Sequence, residues 1–159
     1  GNVALGNIKL IDASSIRYTV TYDGNGATSG SVPTDDTQYK ANAEVTVLGA
    51  RCLAKTGYDF AWWTTDADGN GDAYEADEKF NITGNTTLYA QWEVQTFDYS
   101  LNVTADDSEA EVELSVNGNP LAATDKIAYG SEVTITVVTN DGYNYNVSVK
   151  PLEPSLPLE

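Results

Sequence analysis

The sequence predicts a mostly β protein built of two small antiparallel β-modules in tandem. Thr, Val, Tyr, Asn and Gly dominate the chain, and these residues favour strands and turns over helices. Short runs in which apolar and polar residues alternate recur between turn signals, and the pattern starts again after Trp92. Such alternation is typical of antiparallel sheets with one solvated face.

The first half contains four segments with strand character. They lie at residues 16–22, 44–48, 58–65 and 86–92. The first run ends in a Gly/Asn turn signal at 23–26, and residues 50–54 are expected to form one short helical turn.

The second half repeats this organisation. Its predicted strands lie at 97–104, 111–116, 132–138 and 143–149. Asn117 and Gly118 predict a tight turn after the second of these strands. Residues 39–47 also resemble 129–135, and 56–60 resemble 141–145, so we predict that the two modules are related.

We therefore divide the chain into four parts. Residues 1–15 are an N-terminal segment, alternatively the end of a preceding module with a strand at 3–11, and 16–93 are the first module. Residues 94–150 are a divergent second module, and 151–159 are a Pro-rich tail that is unsuited to a central strand. With no initiator Met and no visible signal peptide, the chain is interpreted as a mature or excised fragment.

The charge of the chain restricts its partners. The formal net charge is −16, from 24 acidic and 8 basic residues. This balance argues against binding to nucleic-acid phosphates and to anionic lipid.

No apolar run approaches the roughly 18 residues of a membrane span, so we expect no direct membrane insertion.

The residues needed for catalysis are scarce. Histidine, the commonest general base, is absent from the chain. The single cysteine, Cys52, has no histidine partner and is expected to be a buried or incidental thiol. No catalytic residue is predicted, and we expect that the protein is not an enzyme.

One acidic segment resembles a calcium loop. Asp66, Asp68, Asn70 and Asp77 stand at positions 1, 3, 5 and 12 of that pattern, with Gly71 at position 6. Asp replaces the usual Glu at position 12, and the flanks are predicted strands rather than helices. A plain acidic turn is the favoured interpretation, so no cofactor is predicted, and weak calcium binding is the alternative.

Several spaced motifs occur in the order found in a known family. They are Tyr18-Thr-Val-Thr-Tyr-Asp-Gly-Asn-Gly26, Val32-Pro-Thr34, Glu44-Val-Thr-Val47, Lys55-Thr-Gly-Tyr-Asp-Phe60, Trp63 and Ile82-Thr-Gly-Asn-Thr-Thr-Leu-Tyr-Ala-Gln-Trp92. This half of the chain resembles the Listeria–Bacteroides repeat, also called the internalin B-repeat, and the second half resembles a divergent, shortened relative. The resemblance implies that the first module is β-grasp-like, with little or no helix.

The resemblance also implies a role and a location. Such repeats occur in strings on secreted and surface-anchored bacterial proteins, where they look like stalk or adhesion modules without catalytic residues. We therefore expect an extracellular, cell-surface spacer or protein-interaction repeat whose partners are neighbouring repeat modules. The alternative is a module that binds a host surface protein or a glycan through exposed aromatic residues. The aromatic residues to test are Trp62, Trp63, Tyr74 and Tyr89.

Trp62 departs from the family pattern, which usually reads Gly-Tyr-x-Phe-x-Gly-Trp. Trp62 stands where that second Gly is expected, and Phe60 and Trp63 have opposite parity along the strand. Both can face one core only across a bulge, which would turn Trp62 outward to stack on a partner's ring, sugar or apolar patch. The favoured interpretation is that Trp62 instead packs on a neighbouring module or under the N-terminal segment.

Overall fold

The chain is mostly β, as predicted. The computed structural model describes Gly6 and residues 12–105, 110–122, 124–141 and 145–151. Strands dominate this described part, and its one helical element is a short 3₁₀ turn, Ala13–Ser15. The chain divides into two compact units, Gly1–Glu93 and Val94–Glu159.

Eight strands begin in the first unit. They are β1 (Arg17–Tyr18), β2 (Val20–Asp23), β3 (Tyr39–Lys40), β4 (Glu44–Thr46), β5 (Tyr58–Thr64), β6 (Ala73–Tyr74), β7 (Lys79–Asn81) and β8 (Thr86–Val94). The principal sheet has the order β2-β8-β5-β6, and the pairs β1–β3 and β4–β7 form two smaller antiparallel ribbons.

The principal sheet contains a parallel pair of strands. Strand β2 runs parallel to β8, with Tyr22 opposite Leu88, whereas β6 pairs antiparallel with β5 at the edge of the sheet. Parallel neighbours need a long crossover connection, which the segment between β2 and β8 supplies. The alternation of apolar and polar residues predicts antiparallel sheets, but alternation reports which face is solvated and does not fix the direction of an individual strand pair, so the prediction is wrong for β2 and β8.

The core of the first unit is formed by side chains from strands and from the connections between them. Its buried members are Val20, Tyr22, Val45, Val47, Leu53, Trp63, Ile82, Leu88 and Ala90. Trp63 lies at the centre of this core and is fully buried. Its ring meets the ring of Tyr22 edge-on at 4.9 Å between centroids, and its Nε1–H donates to the carbonyl of Leu48 at 2.9 Å. The indole is therefore both packed and hydrogen-bonded.

The burial of Tyr22 predicts that the stability of this unit falls at alkaline pH. Burial raises the pKa of its phenol, a hydrogen bond from the Leu48 N–H at 2.8 Å lowers that pKa, and nearby Asp35 and Tyr39 raise it, so that the net shift is upward. The folded state then holds the proton more tightly than the unfolded chain. We expect the free energy of unfolding to be level below about pH 10 and to fall above it.

Urea unfolding of the wild type and of Tyr22→Phe between pH 8 and pH 11 measures this dependence. Tyr22→Phe should be less stable at pH 8, by about 1–3 kcal/mol, because the Leu48 N–H loses its acceptor. It should also lose less stability on going to pH 11. An unchanged alkaline slope would show that folding does not raise the pKa of Tyr22.

The segment between β4 and β5 corrects two expectations. Residues 50–54 do not form a helical turn, because Arg51 has φ +54° and a reverse turn is closed by Leu53 N–H to Ala50 O at 3.0 Å. A residue in the left-handed region cannot continue a right-handed helix. Of the two alternatives predicted for Cys52, the buried thiol is wrong, because its position in this turn leaves it exposed, and the incidental thiol remains.

The second unit is made of small antiparallel sheets. Its strands are β9 (Thr96–Phe97), β10 (Tyr99–Ala105), β11 (Glu111–Val116), β12 (Asn119–Pro120), β13 (Ile127–Ala128), β14 (Val133–Val138) and β15 (Tyr145–Pro151). They pair as β10–β15, β12-β11-β14 and β13–β9. Asn117 and Gly118, both at positive φ, form the predicted tight turn between β11 and β12.

The second unit buries little of its described surface. Among its described residues, the buried hydrophobic side chain is Leu114 on β11, whereas Ile135 and Val138 on β14 are exposed. The proposed strand at 3–11 falls outside the described residues except for Gly6. Of the Pro-rich tail, Pro151 ends β15 opposite Tyr99, and the remainder is not described.

Candidate binding surface

Two adjacent tryptophans on β5 have opposite environments. Trp63 is fully buried, whereas Trp62 is 37% exposed. The next residue, Thr64, is also fully buried, so the strict alternation of a strand is broken at this point. Thr64 is held inside because its hydroxyl donates to the Asp66 carbonyl at 2.6 Å and accepts from Gln91 Nε2 at 2.8 Å.

Phe60 reaches the core despite its opposite parity to Trp63. Its ring lies 5.1 Å from the ring of Trp63 and 5.8 Å from that of Trp92, between centroids. The core thus takes Phe60 and Trp63 from the same strand and leaves Trp62 at the surface. Any binding role of Trp62 stays a prediction.

Trp62 lines a shallow groove of about 310 Å³ beside the edge strand β6. Its other lining residues are Ala73, Tyr74, Glu75 and Glu78. We call this set the Trp62 groove. Strand β6 is placed there by its pairing with β5, in which Tyr74 lies opposite Trp63. Tyr74 also packs against Phe80, whose ring centroid is 4.9 Å away.

The two glutamates of the groove belong to one turn. The backbone N–H of Glu75 donates to Glu78 Oε2 at 2.6 Å, and the N–H of Glu78 donates to the Glu75 carbonyl at 3.3 Å. These bonds hold both residues beside Tyr74 at the end of β6. The groove therefore combines two aromatic side chains with two carboxylates.

The electrostatic environment of the groove is negative. Burial raises the pKa of Tyr74, and the charges of Asp72 and Glu78 raise it further. The ion pairs within the described part of the chain are Lys79–Glu44 and Lys126–Asp98, and neither involves a glutamate of the groove. A ligand in the groove would thus meet carboxylates that no described cation neutralises.

The structure places the four aromatic residues that the sequence suggested for ligand binding in different environments. Trp62 and Tyr74 come together in the groove, whereas Trp63 is withdrawn into the core. Tyr89 is half-buried on β8 and does not line the groove. Sequence reasoning missed Glu75 and Glu78, because their place beside Trp62 depends on the pairing of β5 with β6.

The candidate calcium segment is organised as a β5–β6 connection. Asp66 Oδ1 accepts from the Asp68 N–H at 3.1 Å. Across the loop, the Asp72 N–H donates to the Thr65 hydroxyl at 3.0 Å, and the Thr65 N–H donates to the Asp72 carbonyl at 3.1 Å. Asn25 Nδ2 also donates to the Ala67 carbonyl at 2.9 Å, which ties the loop to the turn after β2. These hydrogen bonds account for the shape of the loop without a cation.

The proposed calcium ligands are divided by β6. Asp66, Asp68 and Asn70 precede that strand, whereas Asp77 follows it and donates its backbone N–H to the Val47 carbonyl at 2.9 Å. Among the residues whose structure is described, no group of three or more His, Cys, Asp or Glu side chains is placed to hold a metal ion. Calcium binding at this segment stays a prediction to be tested in solution.

Calcium at millimolar concentration should leave the melting temperature of the chain unchanged. The ligand oxygens at 66–70 would have to abandon the turn and meet an aspartate beyond β6. Thermal unfolding with 5 mM CaCl₂, and with MgCl₂ at the same ionic strength as control, provides the measurement. A calcium-specific rise of several degrees that Asp66→Asn abolishes would establish the site.

The first unit is a small β-module with its own core. Residues 18–91, just under half of the chain, match the family model of the Listeria-Bacteroides repeat domain. This part of the chain is therefore a Listeria-Bacteroides repeat domain, as its motifs predicted. The match does not extend to the second unit, so its kinship with the first stays a prediction.

Two similar proteins come from Evansella cellulosilytica. The chain is 39% identical over 98 residues to a protein named "Putative Gly-rich membrane protein", a match that covers 61% of the chain. It is 41% identical over 76 residues, or 47% of the chain, to a "Putative membrane protein". Each match covers 11% of the relative's length, and no solved structure matches the chain. In the described residues, no helix has the length and apolar character needed to cross a membrane.

Proposed function

We propose that this chain is a non-catalytic spacer segment of a bacterial cell-surface protein. The observation that carries the proposal is the Listeria-Bacteroides repeat domain at 18–91, whose relatives are much longer proteins named as membrane proteins. In such a protein, a small β-module adds length between other parts of the chain. Neighbouring repeat modules are then its natural partners.

The physical character of the module supports this role. The first unit has one continuous core, and no buried side-chain nitrogen or oxygen in the described residues lacks a hydrogen-bond partner. A net charge of −16 favours solubility and mutual repulsion between copies on a crowded surface. The absence of histidine from the whole sequence, which leaves Cys52 without an imidazole base, supports the non-catalytic part of the proposal.

A surface-display series tests the spacer role. An epitope is placed at the outer end of a cell-wall-anchored fusion that carries no copy, one copy or two copies of the chain. Antibody access to the epitope should rise with copy number, and an unrelated β-domain of equal length should substitute fully. If the unrelated domain restores epitope access but adhesion of the cells depends on this chain, the spacer role alone is insufficient.

A second function, ligand binding, is favoured by one observation. The Trp62 groove places an exposed indole beside Tyr74 and two carboxylates, an arrangement that the core does not require. Exposed aromatic side chains of this kind are common at recognition sites. The chemistry of the groove indicates which ligand it suits.

A further inference from the structure

We propose that the Trp62 groove binds a basic side chain, lysine or arginine, presented by a partner protein. This inference goes beyond the spacer role and does not depend on it. It rests on three features of the groove: an exposed indole, a pair of carboxylates, and a size that suits a side chain rather than a whole domain.

The aromatic part of the groove suits a cation. Tryptophan is the side chain whose ring face attracts a cation most strongly, and guanidinium groups also stack on it. The same unit already contains one such contact, because Lys55 Nζ lies 4.4 Å from the ring centroid of Tyr58. At about 310 Å³, the Trp62 groove is at the lower end of the range of ligand sites.

The charged part of the groove completes the match. Glu75 and Glu78 have no ion-pair partner among the described residues, and the pKa of Tyr74 is raised by burial and then by the charges of Asp72 and Glu78. A basic group would relieve this concentration of negative charge. The net charge of −16 also favours the approach of basic partners over acidic ones.

The polar lining argues against a neutral sugar as the ligand. Sugar hydroxyls both donate and accept hydrogen bonds, whereas ionised carboxylates only accept. The charged groups of the groove are Glu75 and Glu78, so the side-chain donors to a sugar would have to come from Trp62 and Tyr74. A lysine or arginine, which only donates, fits acceptors of this kind without leaving a donor unpaired.

Titration with a matched pair of peptides tests the proposal by NMR. The probe is acetyl-Gly-Arg-Gly-Arg-Gly-amide, and its control replaces each arginine with uncharged citrulline. The indole N–H signals of Trp63 and Trp92 are internal references, because they donate to Leu48 O and Gly24 O. We expect the arginine peptide to shift the Trp62 indole signal saturably and citrulline to leave it in place. Equal shifts with both peptides, or a shift only with a neutral oligosaccharide, would overturn the proposal.

Two sets of variants separate the groove from general charge attraction. Trp62→Ala keeps the net charge and should weaken peptide binding roughly threefold to tenfold. Glu75→Gln with Glu78→Gln keeps an oxygen acceptor in the turn, and should weaken binding more than Glu111→Gln with Glu113→Gln on exposed positions of β11. Unchanged binding by Trp62→Ala, or equal losses in the two double variants, would show that the peptide only follows the acidic surface.

Discussion

Trp63→Ala should destabilise the first unit by about 3–5 kcal/mol, whereas Trp62→Ala should cost about 1 kcal/mol or less. Trp63 is fully buried, and its removal leaves a cavity beside Tyr22 and Phe60. It also leaves the Leu48 carbonyl without the indole N–H that it accepts. Since small domains are stable by about 5–15 kcal/mol, the Trp63 variant should lie close to unfolding.

The neighbouring tryptophan is the matched control for this experiment. Both variants lose the same side chain from the same strand, so that intrinsic strand propensity cancels between them. All three tryptophans, Trp62, Trp63 and Trp92, lie in the first unit, so indole fluorescence during urea unfolding reports on that unit alone. Equal losses of stability in the two variants would contradict the assignment of Trp63 to the core and Trp62 to the surface.

This difference between adjacent residues could be partly predicted from the sequence. The opposite parity of Phe60 and Trp63 required an irregular strand if both were to reach one core, and that requirement left Trp62 outside. The structure brings the rings of Phe60 and Trp63 to 5.1 Å between centroids and leaves Trp62 at the surface, and the buried Thr64 breaks the alternation directly after Trp63. The hydrogen bonds that hold Thr64 inside come from Asp66 and from Gln91 on β8, which no local pattern reveals.

The remainder of the candidate site depends on contacts between distant elements. Tyr74 and Glu75 meet Trp62 because β6 folds back onto β5, and the register of that pairing is set by the turn between them. The same turn matches a calcium-loop pattern in the sequence, because Asp, Asn and Gly are common turn residues and the Asp and Asn oxygens are also calcium ligands. The parallel pairing of β2 with β8 was hidden for a related reason, because strand direction is a property of the whole connection.

Gly30→Ala should be the most damaging of the conservative substitutions in the turns of the first unit. A Cβ at Gly30 would collide with the carbonyl group of Cys52. It would be 2.7 Å from the carbonyl carbon of Cys52 and 2.9 Å from the Cα of Leu53. These are backbone atoms, and they cannot move aside easily because Ser29 and Ala54 exchange backbone hydrogen bonds of 3.1 and 3.0 Å. Gly30 also has φ +78°, a conformation that costs alanine about 1–2 kcal/mol.

Gly26→Ala is the matched control, because it separates backbone conformation from collision. Gly26 has φ +87°, but the nearest atom to an added Cβ is the flexible Nζ of Lys55 at 3.5 Å. Gly26→Ala should therefore cost only about 1–2 kcal/mol, and Gly30→Ala about 2–5 kcal/mol once overpacking is included. Urea unfolding followed by indole fluorescence measures both losses. Equal losses of stability in the two variants would mean that the turn at Cys52 moves to accommodate the extra methyl group. The contact between Gly30 and Cys52 would then be looser than the hydrogen bonds between Ser29 and Ala54 imply.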